Sequence, residues 1–187
     1  MIGGLRHGMV VLLLAAAVAA CREDAASIPA PAEIGSDAVA EFCGMSLTEH
    51  AGPKAQIFLR GQPSPHWFAS VHDAFAYTML LEQPKDIAAI YVSDMGRVKN
   101  WDRPEAGTWV EARQAVFVIE SARRGGMDDN EAVPFADRAA AAAFAGLNGG
   151  RMVGFAEMPK SYILSESRAD TPDAGRDRLP GRRGGGE

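Results

Sequence analysis

Four side chains are candidates for one piece of chemistry. Cys43 and Met45 lie in Glu41-Phe42-Cys43-Gly44-Met45-Ser46-Leu47, His50 follows seven residues after Cys43, and Met127 stands in the turn Gly125-Gly126-Met127-Asp128-Asp129-Asn130. A thiolate with thioethers nearby is a soft donor set, and such sets select Cu(I) over the harder divalent ions. Gly44 permits a tight turn, so Cys43 and Met45 could face one point. His50 begins the turn His50-Ala51-Gly52-Pro53 and can fold back to offer a nitrogen. Met79 and Met152 sit in apolar periodic stretches, where packing explains them. Met127 has no evident core to pack into. Met95 shares a turn with Asp94 and Gly96 and stays ambiguous, while Met158 carries no signal.

Two other readings of Cys43 stay open at this level. It could be a nucleophile, given a base such as His50 and a lowered pKa, or a small buried hydrophobe. No H-E-x-x-H, paired C-x-x-C or Cys₂His₂ spacing occurs, which argues against structural zinc. Asp128-Asp129 reads as solvated loop charge. His66 beside Trp67 suits edge packing or a rim, and His72 a solvated first helical turn.

The solitude of Cys43 depends on the N-terminus. Arg6 and His7 precede an unbroken apolar run, Met9 to Ala20, of signal-peptide length and too short to span a membrane permanently. Val18-Ala19-Ala20-Cys21 resembles a bacterial lipobox, in which the Cys is acylated and becomes the mature N-terminus. With Cys21 lipidated, Cys43 has no partner within the chain, which in an exported protein points to a metal, an intermolecular partner or reactivity. The chain would be tethered by acyl groups, facing the periplasm, with the membrane face undecided. Removing residues 1–20 takes away only Arg6, leaving 18 basic against 24 acidic residues, or −6. That balance and the lack of a basic block argue against nucleic acid.

The elements that must position these residues follow an α+β pattern. Residues 21–37 are Ala/Pro/Ser-rich and read as a flexible tether. Ala55–Arg60, His66–Phe68 and Ile87–Ser93 read as strands. Ser70-Val71-His72-Asp73 has the form of a capping box and predicts a helix burying Val71, Phe75, Thr78 and Met79, ended by Pro84. Ala115–Glu120 and Arg151–Glu157 read as further strands, with Ser161–Leu164 a possible short one. Pro134–Ala145 reads as an Ala-rich helix with Pro at an early position. The order strand, strand, helix, strand thus occurs around 55–93 and again around 109–157. The expectation is two similar ββαβ units, about 38–97 and 98–164, followed by a disordered tail at 165–187.

The chain resembles the NosL family, lipoprotein accessory factors of nitrous oxide reductase. The resemblance rests on the lipobox at Cys21, Phe42-Cys43-Gly44-Met45, His50-Ala51-Gly52-Pro53, Trp67-Phe68-Ala69-Ser70-Val71 and Asp73-Ala74-Phe75. It continues through Pro84-Lys85-Asp86-Ile87, Tyr91-Val92-Ser93-Asp94-Met95-Gly96, Gly126-Met127 and Pro134 to Gly150. It implies a membrane-anchored Cu(I) chaperone and a fold similar to the paired ββαβ units of organomercurial lyases. The partners implied are apo-nitrous oxide reductase and its membrane maturation transporter complex. The family's Cys falls on Cys43 and its loop Met on Met127, with His50 the candidate third ligand and Met45 a fourth. Where the family often has Met-Gly, this chain has Met127-Asp128, whose carboxylate could add a weak oxygen ligand. The lyase relation keeps a thiol-dependent enzyme (a lyase or thiol oxidoreductase with Cys43 as nucleophile) as the rival.

Overall fold

Two antiparallel sheets, one of four strands and one of three, share a core. The computed structural model describes residues 28–164. The expectations for residues 1–20, Cys21 and 165–187 lie outside the described residues.

The first sheet contains β1 (Ala55–Leu59), β2 (His66–Phe68), β3 (Ile87–Ser93) and β4 (Trp109–Glu111), in the order β2-β1-β3-β4. Its helix α1 (Val71–Met79) connects β2 to β3. Ser70 caps it as expected, its hydroxyl accepting from the Asp73 N–H at 3.4 Å. The buried face is Val71, Ala74, Phe75 and Tyr77, and the helix stops at Met79, short of Pro84; Thr78 and Met79 are only half-buried. The second sheet contains β5 (Val116–Ile119), β6 (Val133–Phe135) and β7 (Arg151–Gly154), in the order β6-β5-β7, with α2 (Arg138–Asn148) between β6 and β7. Strands β2-β1-β3 and β6-β5-β7 are thus the same ββαβ arrangement made twice. The α+β expectation holds.

Four expectations are corrected. Val133-Pro134-Phe135 is strand, and α2 begins only at Arg138, where Asp137 Oδ1 accepts from the Ala139 N–H at 2.9 Å. Proline is tolerated there because β6 is a sheet edge, where a missing N–H breaks no ladder. Strand β4, which a second unit starting at 98 would contain, pairs with β3 of the first sheet. Residues Lys160–Leu164 form a short helix, α3, rather than a strand. The segment 21–37 is not tether throughout. Gln56 on β1 is fully buried, so both ends of its amide need partners. They find the N–H and C=O of Ala32, at 2.8 and 3.0 Å, and Tyr91 donates to the Pro29 carbonyl at 2.7 Å.

The core joins the two sheets, with Phe75 of α1 edge-on to Phe117 of β5 at 5.0 Å between centroids. A polar seam joins them again. The Met95 N–H donates to the Pro134 carbonyl at 2.9 Å, and buried Asp94 accepts from the Ala136 N–H at 3.0 Å. Loops from the two units therefore meet in fixed register.

Candidate metal centre

Cys43 lies in a turn closed by an isolated antiparallel bridge between Val39 and Ser46. Inside it the Ala40 N–H donates to Met45 O at 2.9 Å and the Gly44 N–H to Ala40 O at 2.8 Å. Gly44 has φ 66°, a left-handed conformation that glycine adopts at no steric cost. The turn rests on an apolar cluster, Ala38, Ala40, Leu47 and Ala69, against which Cys43 packs half-buried. Met45, by contrast, is largely exposed at 47%.

A single 3₁₀ turn, Leu47–Glu49, carries the chain from Met45 to His50, which is buried. Its Nε2 lies 3.6 Å from Cys43 Sγ. Sulfur and nitrogen are thus adjacent, one ion away from sharing a soft cation. His50 also lines a cleft of about 230 Å³ with Lys54, Ser93 and Asp102.

The Met127 loop comes from the other unit and lands on the same place. An isolated bridge between Arg124 and Asn130 closes it. Gly126 presses on the His50 turn so closely that a Cβ there would lie 2.6 Å from Ala51 O and 2.8 Å from His50 Cβ. Only glycine fits. Arg123 lies over the Trp101 ring at 4.3 Å, and Trp101 O accepts from the Gly52 N–H at 2.9 Å, tying the loop's approach to the same segment. Met127, 40% exposed, follows directly. Asp128 has φ 62°, a conformation aspartate tolerates better than most residues, so Met127-Asp128 makes the turn that Met-Gly would make. The Cys43, Met45, His50 and Met127 segments therefore converge. Among the described residues no group of three or more His, Cys, Asp or Glu side chains gathers as a metal site.

His66 is not beside Cys43 but pairs with Glu41 at 2.9 Å. His72 is half-buried rather than solvated, its ring near Tyr162 O at 3.4 Å. Burial alone would lower its pKa, but Asp73, Glu131 and the Tyr162 carbonyl carry it above the ordinary value.

Two buried ionisable groups behind the centre escaped the sequence reading. Glu131 is fully buried, and burial pushes its carboxyl up to about 7. Lys54 is 2% exposed, and burial lowers its ammonium to about 8, Glu131 working the other way. Nothing in Asn130-Glu131-Ala132 marks a buried acid. The only signal for Lys54 is a lysine wedged between Pro53 and the apolar strand β1.

Known proteins supply the context for this geometry. The family model NosL matches residues 31–163. A copper-binding lipoprotein NosL of Achromobacter cycloclastes is 44% identical over 179 residues, covering 90% of this chain and 93% of that relative. A copper-binding lipoprotein NosL of Stutzerimonas stutzeri is 29% identical over 158 residues, covering 83% and 80%. The crystal structure of the copper chaperone NosL from Shewanella denitrificans superposes with a TM-score of 0.66 at 29% identity, covering 72% of this chain and 98% of that one. The chain belongs to the NosL family.

Proposed function

We propose that the chain is a copper chaperone that carries one Cu(I) on Cys43, with His50, Met127 and Met45 completing the site. The observation that carries this reading is the 3.6 Å Sγ–Nε2 pair with the Met127 loop pressed onto the same histidine turn. Thiolate, imidazole and thioether are all donors that copper accepts, and the thiolate and thioethers select its reduced form. Partly exposed thioethers suit a cargo that must leave again. The copper and chaperone names of its relatives support the same reading. The recipient is apo-nitrous oxide reductase, reached together with the membrane maturation transporter complex.

Residues 1–20 are the export signal, and Cys21 carries the lipid that holds the chain on the periplasmic side of a membrane. No helix among the described residues is long and apolar enough to cross one. The chain then acts as a carrier rather than an enzyme.

The test is anaerobic Cu(I) titration against a competing chelator for wild type, Cys43→Ser and Met127→Ala. Wild type should bind one equivalent. Cys43→Ser should lose more than the about 10- to 100-fold that loss of a supporting residue costs, and Met127→Ala should lose less. Full affinity in Cys43→Ser overturns the reading. The Cys43–His50 pair also has the form of an activated thiol, so the rival enzyme predicts rapid alkylation of metal-free Cys43 together with substrate turnover.

A further inference from the structure

We propose that Glu131 and Lys54 are a buried positioning pair that holds the Met127 loop against the His50 turn. The inference rests on Met127 and His50 belonging to the copper site. Each member of the pair is built into one of the two segments that meet there.

Glu131 follows Asn130, the residue that closes the loop. Its main-chain carbonyl accepts from the Tyr162 hydroxyl at 2.9 Å, fixing the loop to α3. Its Oε1 accepts from the Ser70 hydroxyl at 3.4 Å and from the N–H groups of His72 at 3.0 Å and Ala132 at 2.9 Å, fixing it to the start of α1. Oε2 is buried and has no hydrogen-bond partner among the described residues. It faces the loop, because a Cβ on Gly125 would lie 2.9 Å from it. Lys54 donates from Nζ to Ala51 O at 3.1 Å and Gly52 O at 2.6 Å, the same backbone on which Gly126 rests. A carboxylate therefore backs one segment and an ammonium the other, and the Glu131 charge favours the Lys54 ammonium against its burial, so each charge supports the other across the junction.

A helix cap alone would not need this arrangement, since Ser70 already caps α1 and a neutral amide could supply Oε1 equally well. The pair is charged at both ends between about pH 7 and about pH 8. Other ionisable groups face Glu131: His72 and Asp73 from α1, and Tyr162 from α3, itself flanked by Glu120 and Arg124. His72 favours the ionised carboxyl and Asp73 opposes it, and neither touches the Ala51 and Gly52 carbonyls that Lys54 holds.

The experiment uses the full-length chain in detergent, with Cu(I) competition at pH 6 and 7.5 for wild type, Glu131→Gln, Met127→Ala and the double variant. The second arm follows the Gly125 and Gly126 amide resonances of copper-free protein across pH. Glu131→Gln should bind about tenfold more weakly at pH 7.5, as loss of a supporting partner does. The gap should narrow at pH 6, where the wild-type carboxyl is itself neutral. The double variant should bind no more weakly than Met127→Ala. In copper-free wild type the two glycine amides should shift with a midpoint near 7, and stay still in Glu131→Gln. Unchanged affinity in Glu131→Gln beside a weakened Met127→Ala overturns the pair and leaves the copper reading standing. Full affinity in Met127→Ala removes both the loop's role and the pair's. If Glu131→Gln does not fold, the wild-type amides decide, and their standing still through pH 7 overturns the proposal.

Discussion

The two sulfur-bearing turns use one backbone device on two different foundations. In each, an isolated antiparallel bridge closes the loop, Val39 with Ser46 and Arg124 with Asn130. In each, a left-handed residue follows a sulfur residue: Gly44 after Cys43, and Asp128 after Met127. The first turn lies on Ala38, Ala40, Leu47 and Ala69. The second lies on Glu131, whose Oε2 is the atom a Cβ on Gly125 would meet first, at 2.9 Å. Apolar packing is indifferent to protons, whereas a buried carboxylate is not. One donor segment is thus held by a force that pH does not touch, and the other by one that pH tunes.

The largest effect expected from that difference is on stability. The Glu131 carboxyl goes from an ordinary 4.5 to about 7 on folding. Below 4.5 both states are protonated and nothing is lost. As pH rises from 4.5 to about 7, the unfolded chain has given up its proton while the folded chain keeps it, so stability falls across that window and the loss is complete above it, about 3 kcal/mol at the upper limit. Glu131→Gln removes that cost. It should be more stable than wild type at pH 8 by up to this amount, and about equal at pH 4, by urea midpoints. A variant no more stable than wild type at pH 8 would mean that the carboxylate is not paying for its burial, and the contrast between the two turns would collapse. A gain in stability together with weaker copper binding is the signature of a group kept for placement rather than for folding.

What the sequence made legible divides along the same line. Local signals worked: the Ser70 cap, the apolar runs of β1, β3 and β5, and the Gly44 turn are each decided by neighbours a few residues away. Signals settled by the rest of the fold did not. Pro134 and Phe135 read as a helix start because proline suits both a first helical turn and an edge strand, and only the sheet shows which applies. Lys160–Leu164 was too short for its periodicity to choose. Pro29 to Ala32 read as tether because the demand for order comes from Gln56, buried across the sheet. At the candidate centre, Cys43 and His50, seven residues apart, are local enough for the sequence to suggest their 3.6 Å meeting. Glu131 and Lys54 are not legible in this way, because their burial is created by elements far from them in the chain.

Glycine substitutions sharpen the comparison at the next level of effect. At Gly126 the obstacle is space: a Cβ meets Ala51 and His50 at 2.6 to 2.9 Å, mostly at backbone atoms. Gly126→Ala should cost about 1–3 kcal/mol, as overpacking does, and should weaken copper binding by pushing Met127 away. At Gly44 a Cβ meets nothing within 4 Å, and only the backbone conformation objects. Gly44→Ala should cost about 1–2 kcal/mol, the ordinary left-handed penalty. Equal copper loss in the two variants would show that the Cys43 turn is placed as tightly as the Met127 turn, contrary to its open surroundings.

Asp128→Gly is the mildest change and the most discriminating about the donors. Glycine relieves the left-handed conformation at φ 62°, but it also frees the unfolded chain, and these effects oppose one another. Stability should therefore move by no more than about 0.5 kcal/mol, the range of an exposed substitution. If the centre is built from Cys43, His50 and thioethers, Cu(I) affinity should stay at the wild-type value as well, since the Asp128 carboxylate is a hard donor that a soft ion neglects. A clear loss of copper with unchanged stability would assign that carboxylate to the centre. The Met127 turn would then contribute an oxygen that the Cys43 turn has no counterpart for, and the two turns would differ in chemistry as well as in what lies beneath them.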